Sequence, residues 1–191
     1  MAKKESTFLN MLITLFVVTF LSSASLGFVY ELTKGPKAAA DLAKKVKAIQ
    51  EVVPEFTNNP IDDVYEIEFE SDRIKCYPAK KDGELVATAM ETFTKKGFSG
   101  EIRLMVGLLP DGEIYDIAVV KHAETPGLGN KIEKSKSNFS KQFKGKNPSQ
   151  FQLKVKQDGG DVDGITAATI SSRAYCDALM RAYNAYQGVQ K

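Results

Sequence analysis

Ile102-Arg103-Leu104-Met105-Val106-Gly107-Leu108-Leu109-Pro110-Asp111-Gly112-Glu113-Ile114-Tyr115-Asp116-Ile117-Ala118-Val119-Val120 is the stretch that decides how this chain folds. Ile102, Leu104, Val106 and Leu108 recur at every second position, the period of a strand with one buried face. Ile114, Ile117, Val119 and Val120 form a second apolar run. Between the runs, Asp111-Gly112 supplies residues that tolerate the positive φ of a tight turn. The reading is an antiparallel hairpin.

Working upstream, the same signal repeats. Tyr65, Ile67 and Phe69 alternate with Glu66, Glu68 and Glu70, which predicts a half-buried strand. Residues 73–77 predict another, ended by Pro78, and residues 84–94 a third through Val86, Thr88 and Met90. Downstream of the hairpin comes the loop Lys121-His122-Ala123-Glu124-Thr125-Pro126-Gly127-Leu128-Gly129-Asn130-Lys131. Pro126-Gly127 suits the centre of a turn, and Gly129 permits close approach of another chain segment or of a flat ligand. Residues 132–143 read as helical or irregular and basic. Their lysines, with only Phe139 and Phe143 among them, suit a solvated face better than a nucleic-acid surface. Phe151, Leu153 and Val155 alternate again and predict a strand.

Asp163-Gly164-Ile165-Thr166-Ala167-Ala168-Thr169-Ile170-Ser171-Ser172 follows. Asp163-Gly164 reads as a turn, and the hydroxyls of Thr166, Thr169, Ser171 and Ser172 crowd the start of a helix. Such a start offers unpaired N–H groups and the positive end of the helix dipole, a place suited to a phosphate. By composition alone it reads first as a plain Ser/Thr cap. A calcium loop does not fit, because its first and twelfth ligand positions would fall on Gly159 and Ile170. The terminal helix starts at Ala167 or Ala168 and runs to Tyr186, with Ala174, Ala178 and Ala182 on one face for close packing on a sheet. The elements together predict an α+β fold, a mostly antiparallel sheet flanked by helices.

At the other end, Lys3 and Lys4 precede a run over residues 6–30 that holds no charge. As a helix it spans roughly 37 Å, against a hydrocarbon core of about 30 Å. Two readings stand. The length favours an uncleaved transmembrane anchor, and Lys3 and Lys4 argue for a cytoplasmic N-terminus, while Ser22-Ser23-Ala24-Ser25 is compatible with a cleaved signal peptide. Gly35-Pro36 predicts a break before a polar helix over residues 37–52, stopped by Pro54.

The 191 residues carry 26 basic and 24 acidic side chains, a net charge of +2 that excludes a nucleic-acid binder by bulk charge. Two cysteines, Cys76 and Cys176, and one histidine, His122, make no metal-ligand spacing. Whether the cysteines pair is open at this point. No nucleophile triad, P-loop or dinucleotide fingerprint is present, so no catalytic side chain is expected.

Residues 124–129, Glu124-Thr125-Pro126-Gly127-Leu128-Gly129, and the later Asp163-Gly164-Ile165-Thr166-Ala167-Ala168-Thr169 resemble the FMN-binding domain family of the membrane-bound Rnf and sodium-pumping NADH:quinone reductase complexes. With its anchor and length, the chain is similar to Rnf G subunits, and the quinone-reductase C subunit is the near alternative. The family pattern is Asp, two loosely constrained positions, Ser or Thr, Gly, Ala, then Thr. Asp163, Thr166, Ala168 and Thr169 match, and Ala167 stands where the family has Gly. The resemblance implies that a flavin transferase links FMN through its phosphate to the Thr169 hydroxyl, with Ser171 the nearest rival acceptor. It also implies that Glu124, Thr125, Pro126, Gly127, Leu128 and Gly129 lie beside the isoalloxazine.

The implied role is electron relay within a complex coupling ferredoxin oxidation and NAD reduction to ion transport. The implied partners are the other membrane and iron–sulfur subunits. The implied location is the bacterial cytoplasmic membrane, single-pass, with the FMN domain on the extracytoplasmic side. On this reading residues 1–30 are tip and anchor, 31–60 a linker or stalk helix, and 61–191 the FMN-binding domain, its core at about 99–185. The different-class alternative is an anchored binding or assembly module without cofactor, in which residues 163–172 are only a helix cap.

Overall fold

The structure, a computed structural model, describes residues 7–189; Lys3 and Lys4 lie outside the described residues. The chain divides into two compact units, one ending at Ala43 and one beginning at Lys44. The first unit is helical. Helix α1 is Phe8–Val52, and its apolar part is the one helix, among the described residues, long and apolar enough to cross a membrane. Phe8, Leu9, Phe16, Phe20 and Phe28 are all more than 60% exposed, as lipid-facing side chains must be.

The expected break at Gly35-Pro36 does not occur: α1 is continuous through Pro36. Proline's φ is compatible with a helix, and its cost is chiefly a lost hydrogen bond and a clash, about 3 kcal/mol. Strong helix formers on both sides, Leu32 before and Ala38, Ala39, Ala40 and Leu42 after, offset it.

The second unit is built on a five-stranded antiparallel sheet in the simple order β1-β2-β3-β4-β5. The strands are β1 (Tyr65–Phe69), β2 (Asp72–Lys81), β3 (Glu84–Gly97), β4 (Gly100–Leu108) and β5 (Ile114–Lys121). The hairpin read from the sequence is β4–β5, with Val106 opposite Ile117 and the Gly112 amide closing its turn on Leu109. β2 does not end at Pro78 but passes through it. Pro78 pairs with Thr88, and its carbonyl accepts from the Asn58 side chain at 2.9 Å on the opposite side. Proline's missing N–H therefore faces the side where β1 has already ended, so no ladder bond is lost.

Each face of the sheet is covered. On one, helix α2 (Thr169–Val189) lays Ala174, Ala178, Leu179 and Ala182 against Met90, Leu104 and Val106, all at most 1% exposed. On the other, Ala48, Ile49 and Val52 at the end of α1, with Val53 just past it, pack on Tyr77, Ala79, Ala87, Ala89 and Met105. Small side chains on that face let the helix come close. Gly107 is there because a Cβ would collide with the Val52 carbonyl. Glu91, buried under this layer, pairs with Lys45 at 2.9 Å and Arg103 at 3.4 Å and accepts from the Tyr77 hydroxyl at 3.1 Å.

Between β5 and α2 the chain makes three 3-10 turns, Gly129–Ile132, Phe139–Phe143 and Lys156–Asp158. Phe139 and Phe143 stack edge-on or tilted against Tyr175 of α2, at centroid distances of 5.2 and 5.4 Å. Lys134 is not merely solvated: it bridges Glu51 at 2.9 Å and Asp116 at 2.8 Å. The strand expected at Phe151, Leu153 and Val155 is absent. Leu153 and Val155 are buried as the alternation implied, but this segment folds onto its own continuation. Val162 donates to Lys154 and Lys156 donates to Val162, leaving only one isolated bridge, Val155 to Val162. Cys76 and Cys176 are both buried and both free thiols.

Candidate functional site

The Thr125–Leu128 turn closes as Pro126-Gly127 requires: the Leu128 amide donates to the Thr125 carbonyl at 3.2 Å and Gly127 has φ +78°. The Gly127 amide is held by the Asn130 side chain at 2.8 Å. Upstream, His122 accepts the Glu124 amide on Nδ1 at 3.0 Å, so its Nε2 carries the proton shared with Glu133 at 2.6 Å. That bond holds the Glu133 carboxyl below the usual carboxylate range. His122 thus fixes the entry to the loop rather than merely ending β5.

Glu124 turns inward, 4% exposed. Its carboxylate accepts from the Ser99 amide at 3.0 Å and from the Ser171 hydroxyl in a short contact. Three elements meet on this one side chain: the β3–β4 turn, the loop after β5 and the start of α2. Gly129 is buried against the same junction. A Cβ there would lie 2.5 Å from Glu124 Oε2 and 2.6 Å from Ser171 Oγ, so its close approach is to its own chain.

α2 begins at Thr169, later than the Ala167 or Ala168 start read from the sequence. Ala167 has φ +61°, a left-handed conformation that cannot belong to a helix. Ala168 is the capping residue, since its carbonyl accepts the first helical bond, from Ser172. It brings no side-chain acceptor, so the amides at Thr169, Ile170 and Ser171 are left as the free donors of a helix start. The hydroxyls are not equivalent. Ser172 is buried and spent on the Ala168 carbonyl and the Ile165 amide, and Ser171 is buried and spent on Glu124. Thr169 is half-buried and faces a pocket, and Thr166 is exposed.

That pocket, of about 360 Å³, is lined by Glu124, Thr125, Leu128 and Gly129 from the loop and by Ala167, Ala168, Thr169, Ile170 and Ser171 from the helix start. Its size falls in the range of small-molecule sites. Two stretches some 40 residues apart are thereby joined. Pro126 and Gly127 do not line it but shape the turn. Asp163 and Thr166 line a neighbouring hollow of about 420 Å³ with Lys131, Asn138 and Gln142, and Asp163 pairs with Lys156 at 2.7 Å. The tenth lining residue of the first pocket is Phe98, in the β3–β4 turn. Sequence reasoning passed over it; the signal was an apolar ring in Gly97-Phe98-Ser99-Gly100, where a turn calls for polar residues.

The donor set suits a phosphate-bearing planar ligand: free amides at a helix start for the anion, and an apolar rim of Phe98, Leu128 and Ile170 for the ring. Comparison with known families agrees. Residues 97–184 match the FMN-binding domain family. The chain is 38% identical over 161 residues to the G subunit of the ion-translocating oxidoreductase complex from Haemophilus influenzae (strain PittEE), covering 80% of this chain and 77% of that protein. It is 42% identical over 146 residues to the corresponding G subunit from Erwinia tasmaniensis, 72% and 70% of the two chains. The G subunit from Shewanella oneidensis is 43% identical over 114 residues, 58% and 54% of the two.

Proposed function

Because the chain belongs to the family of G subunits of the ion-translocating oxidoreductase complex and is a membrane-anchored FMN electron-transfer protein, we propose that its FMN is held covalently, through the phosphate, on the hydroxyl of Thr169. The observation that carries this is the joining of residues 124–129 and 167–171 around one pocket, with Thr169, of the two helix-start hydroxyls that line it, the one not taken up by Glu124. A phosphodiester at Thr169 places one negative charge at the start of α2, where the free amides and the dipole favour it by about 0.3–1 kcal/mol. Bound FMN supplies the electron-accepting ring, and the protein supplies position and environment. Leu128, Thr125 and Gly129 form the loop wall, and Ala168 the helix wall. Asp163 and Thr166, both exposed, are available from outside to the flavin transferase that would attach the cofactor.

The electrons pass within an Rnf complex of membrane and iron–sulfur subunits, whose oxidoreduction drives ion movement. The relatives' names favour this over the C subunit of the sodium-translocating quinone reductase. We place the FMN domain on the extracytoplasmic side of a bacterial cytoplasmic membrane, with residues 1–30 as tip and anchor, 31–60 as connecting segment and 61–191 as the FMN-binding domain. From Lys44 the connecting helix is already part of the folded unit.

The test is co-expression with a flavin transferase, denaturing electrophoresis and flavin fluorescence in the band. The wild type and Ser171→Ala are expected to fluoresce, and Thr169→Ala to be dark. A dark wild-type band beside an active transferase sinks the proposal, and a bright Thr169→Ala band moves the attachment elsewhere.

A further inference from the structure

Resting on that reading, we propose that Phe98 is the third wall of the flavin site, an aromatic face that covers the isoalloxazine and is positioned by the Glu124 carboxylate. Phe98 belongs to neither stretch that carries the family resemblance. It sits at the tip of the β3–β4 hairpin, where Gly97 pairs with Gly100. A hairpin tip is ordinarily polar, yet Phe98 is 66% exposed.

The folded unit from Lys44 has six exposed large apolar residues among those described: Val64, Tyr65, Leu85, Phe98, Leu128 and Ile170. Three of them, Phe98, Leu128 and Ile170, line the same pocket, and they come from three different elements. Scattered apolar residues need no explanation, but convergence on one concavity marks a surface that a ligand covers. Phe98 is the most exposed of the six and offers a flat aromatic face, the chemistry that an isoalloxazine stacks on.

The tip is also fixed. The Ser99 amide, next in sequence, donates to Glu124 Oε1, and a Cβ on Gly97 would lie 2.8 Å from the same oxygen. The carboxylate that holds the loop to α2 therefore holds the hairpin too. Phe98 acts on the ring directly, and Glu124 acts through Ser99 as a positioning residue.

The test uses the full-length chain in detergent, co-expressed with a flavin transferase, as wild type, Phe98→Ala, Phe98→Tyr and Leu85→Ala. Three readouts are taken: the covalently flavinylated fraction on a denaturing gel, flavin-band circular dichroism, and quenching of flavin fluorescence by iodide. Phe98 is exposed, so truncation leaves the fold standing, and dichroism and quenching are read per covalently bound flavin. The expected result for Phe98→Ala is a loss of at least half of the flavin-band dichroism and at least a doubling of iodide quenching. Phe98→Tyr and the surface control Leu85→Ala are expected to match the wild type. Equal dichroism and quenching in wild type and Phe98→Ala overturn the role of Phe98 while leaving the Thr169 assignment standing. A wild type without covalent flavin overturns both.

Discussion

Ala167 carries a backbone conformation its side chain opposes. An L-residue other than glycine loses about 1–2 kcal/mol at φ near +60°, and Ala167 stands at +61°. The Ala167→Gly change relieves this strain but gives back unfolded-chain entropy, so the expected gain is about 0.5–1 kcal/mol, read from urea unfolding of the two proteins. Equal or lower stability in the glycine variant would refute the strain. The match of Asp163, Thr166, Ala168 and Thr169 was legible in the sequence, and so was the mismatch at Ala167. What the sequence did not carry was the reason glycine belongs there. Only the resemblance singled out Thr169; composition and spacing did not separate the four hydroxyls, because Ser171 and Thr169 differ in direction: two residues apart on a helix, they face about 200° apart. Ser171 turns to Glu124, a partner 47 positions away, and Thr169 to the pocket.

The end of α1 is tied to the sheet by an ionic cluster. Burial alone would raise the Glu91 carboxyl; Lys45, Tyr77 and Arg103 outweigh it and hold it below its ordinary value of 4.5. A depressed folded-state value means the contribution is full above about pH 4.5 and disappears as pH falls through the lower, folded value. Glu91→Gln is expected to cost about 2 kcal/mol at pH 7, since it leaves two partly exposed cations facing a buried amide, and to flatten the acid limb of stability below pH 4.5. Thermal melts of both proteins across pH 3–7 check it; parallel curves would exclude the cluster as the cause.

Among the elements, strands with sustained alternation were readable, and punctuation was where reading failed. Pro78 looked like a stop because sequence does not say which side of a strand its missing N–H faces. Pro36 looked like a break because a single proline outweighs its neighbours only in a short helix. Phe151, Leu153 and Val155 alternate in burial as a strand does, yet their hydrogen bonds turn inward on residues 161–162. Period reports burial, and pairing partners lie elsewhere.

At the scale of the whole molecule, the flavin-bearing unit borrows its second layer from the helix that anchors it. A chain begun at Lys44 is expected to fold and keep the pocket. One begun at residue 54 loses Ile49, Val52 and Val53, each worth about 1.5–3 kcal/mol of burial, against a domain stability of about 5–15 kcal/mol. Circular dichroism melts of the two fragments decide it: a cooperative transition of equal midpoint in the shorter one would show the layer to be dispensable. The two buried thiols have a consequence of another kind. Burial pushes Cys76 and Cys176 each up to about 12. At neutral pH the thiolate fraction is then on the order of 10⁻⁵, and only the thiolate attacks oxidants or disulfides readily. A reduced flavin in contact with oxygen is a local source of peroxide. Among the described residues, the domain around it offers no reactive thiol to drain its electrons or to be consumed by what leaks from it.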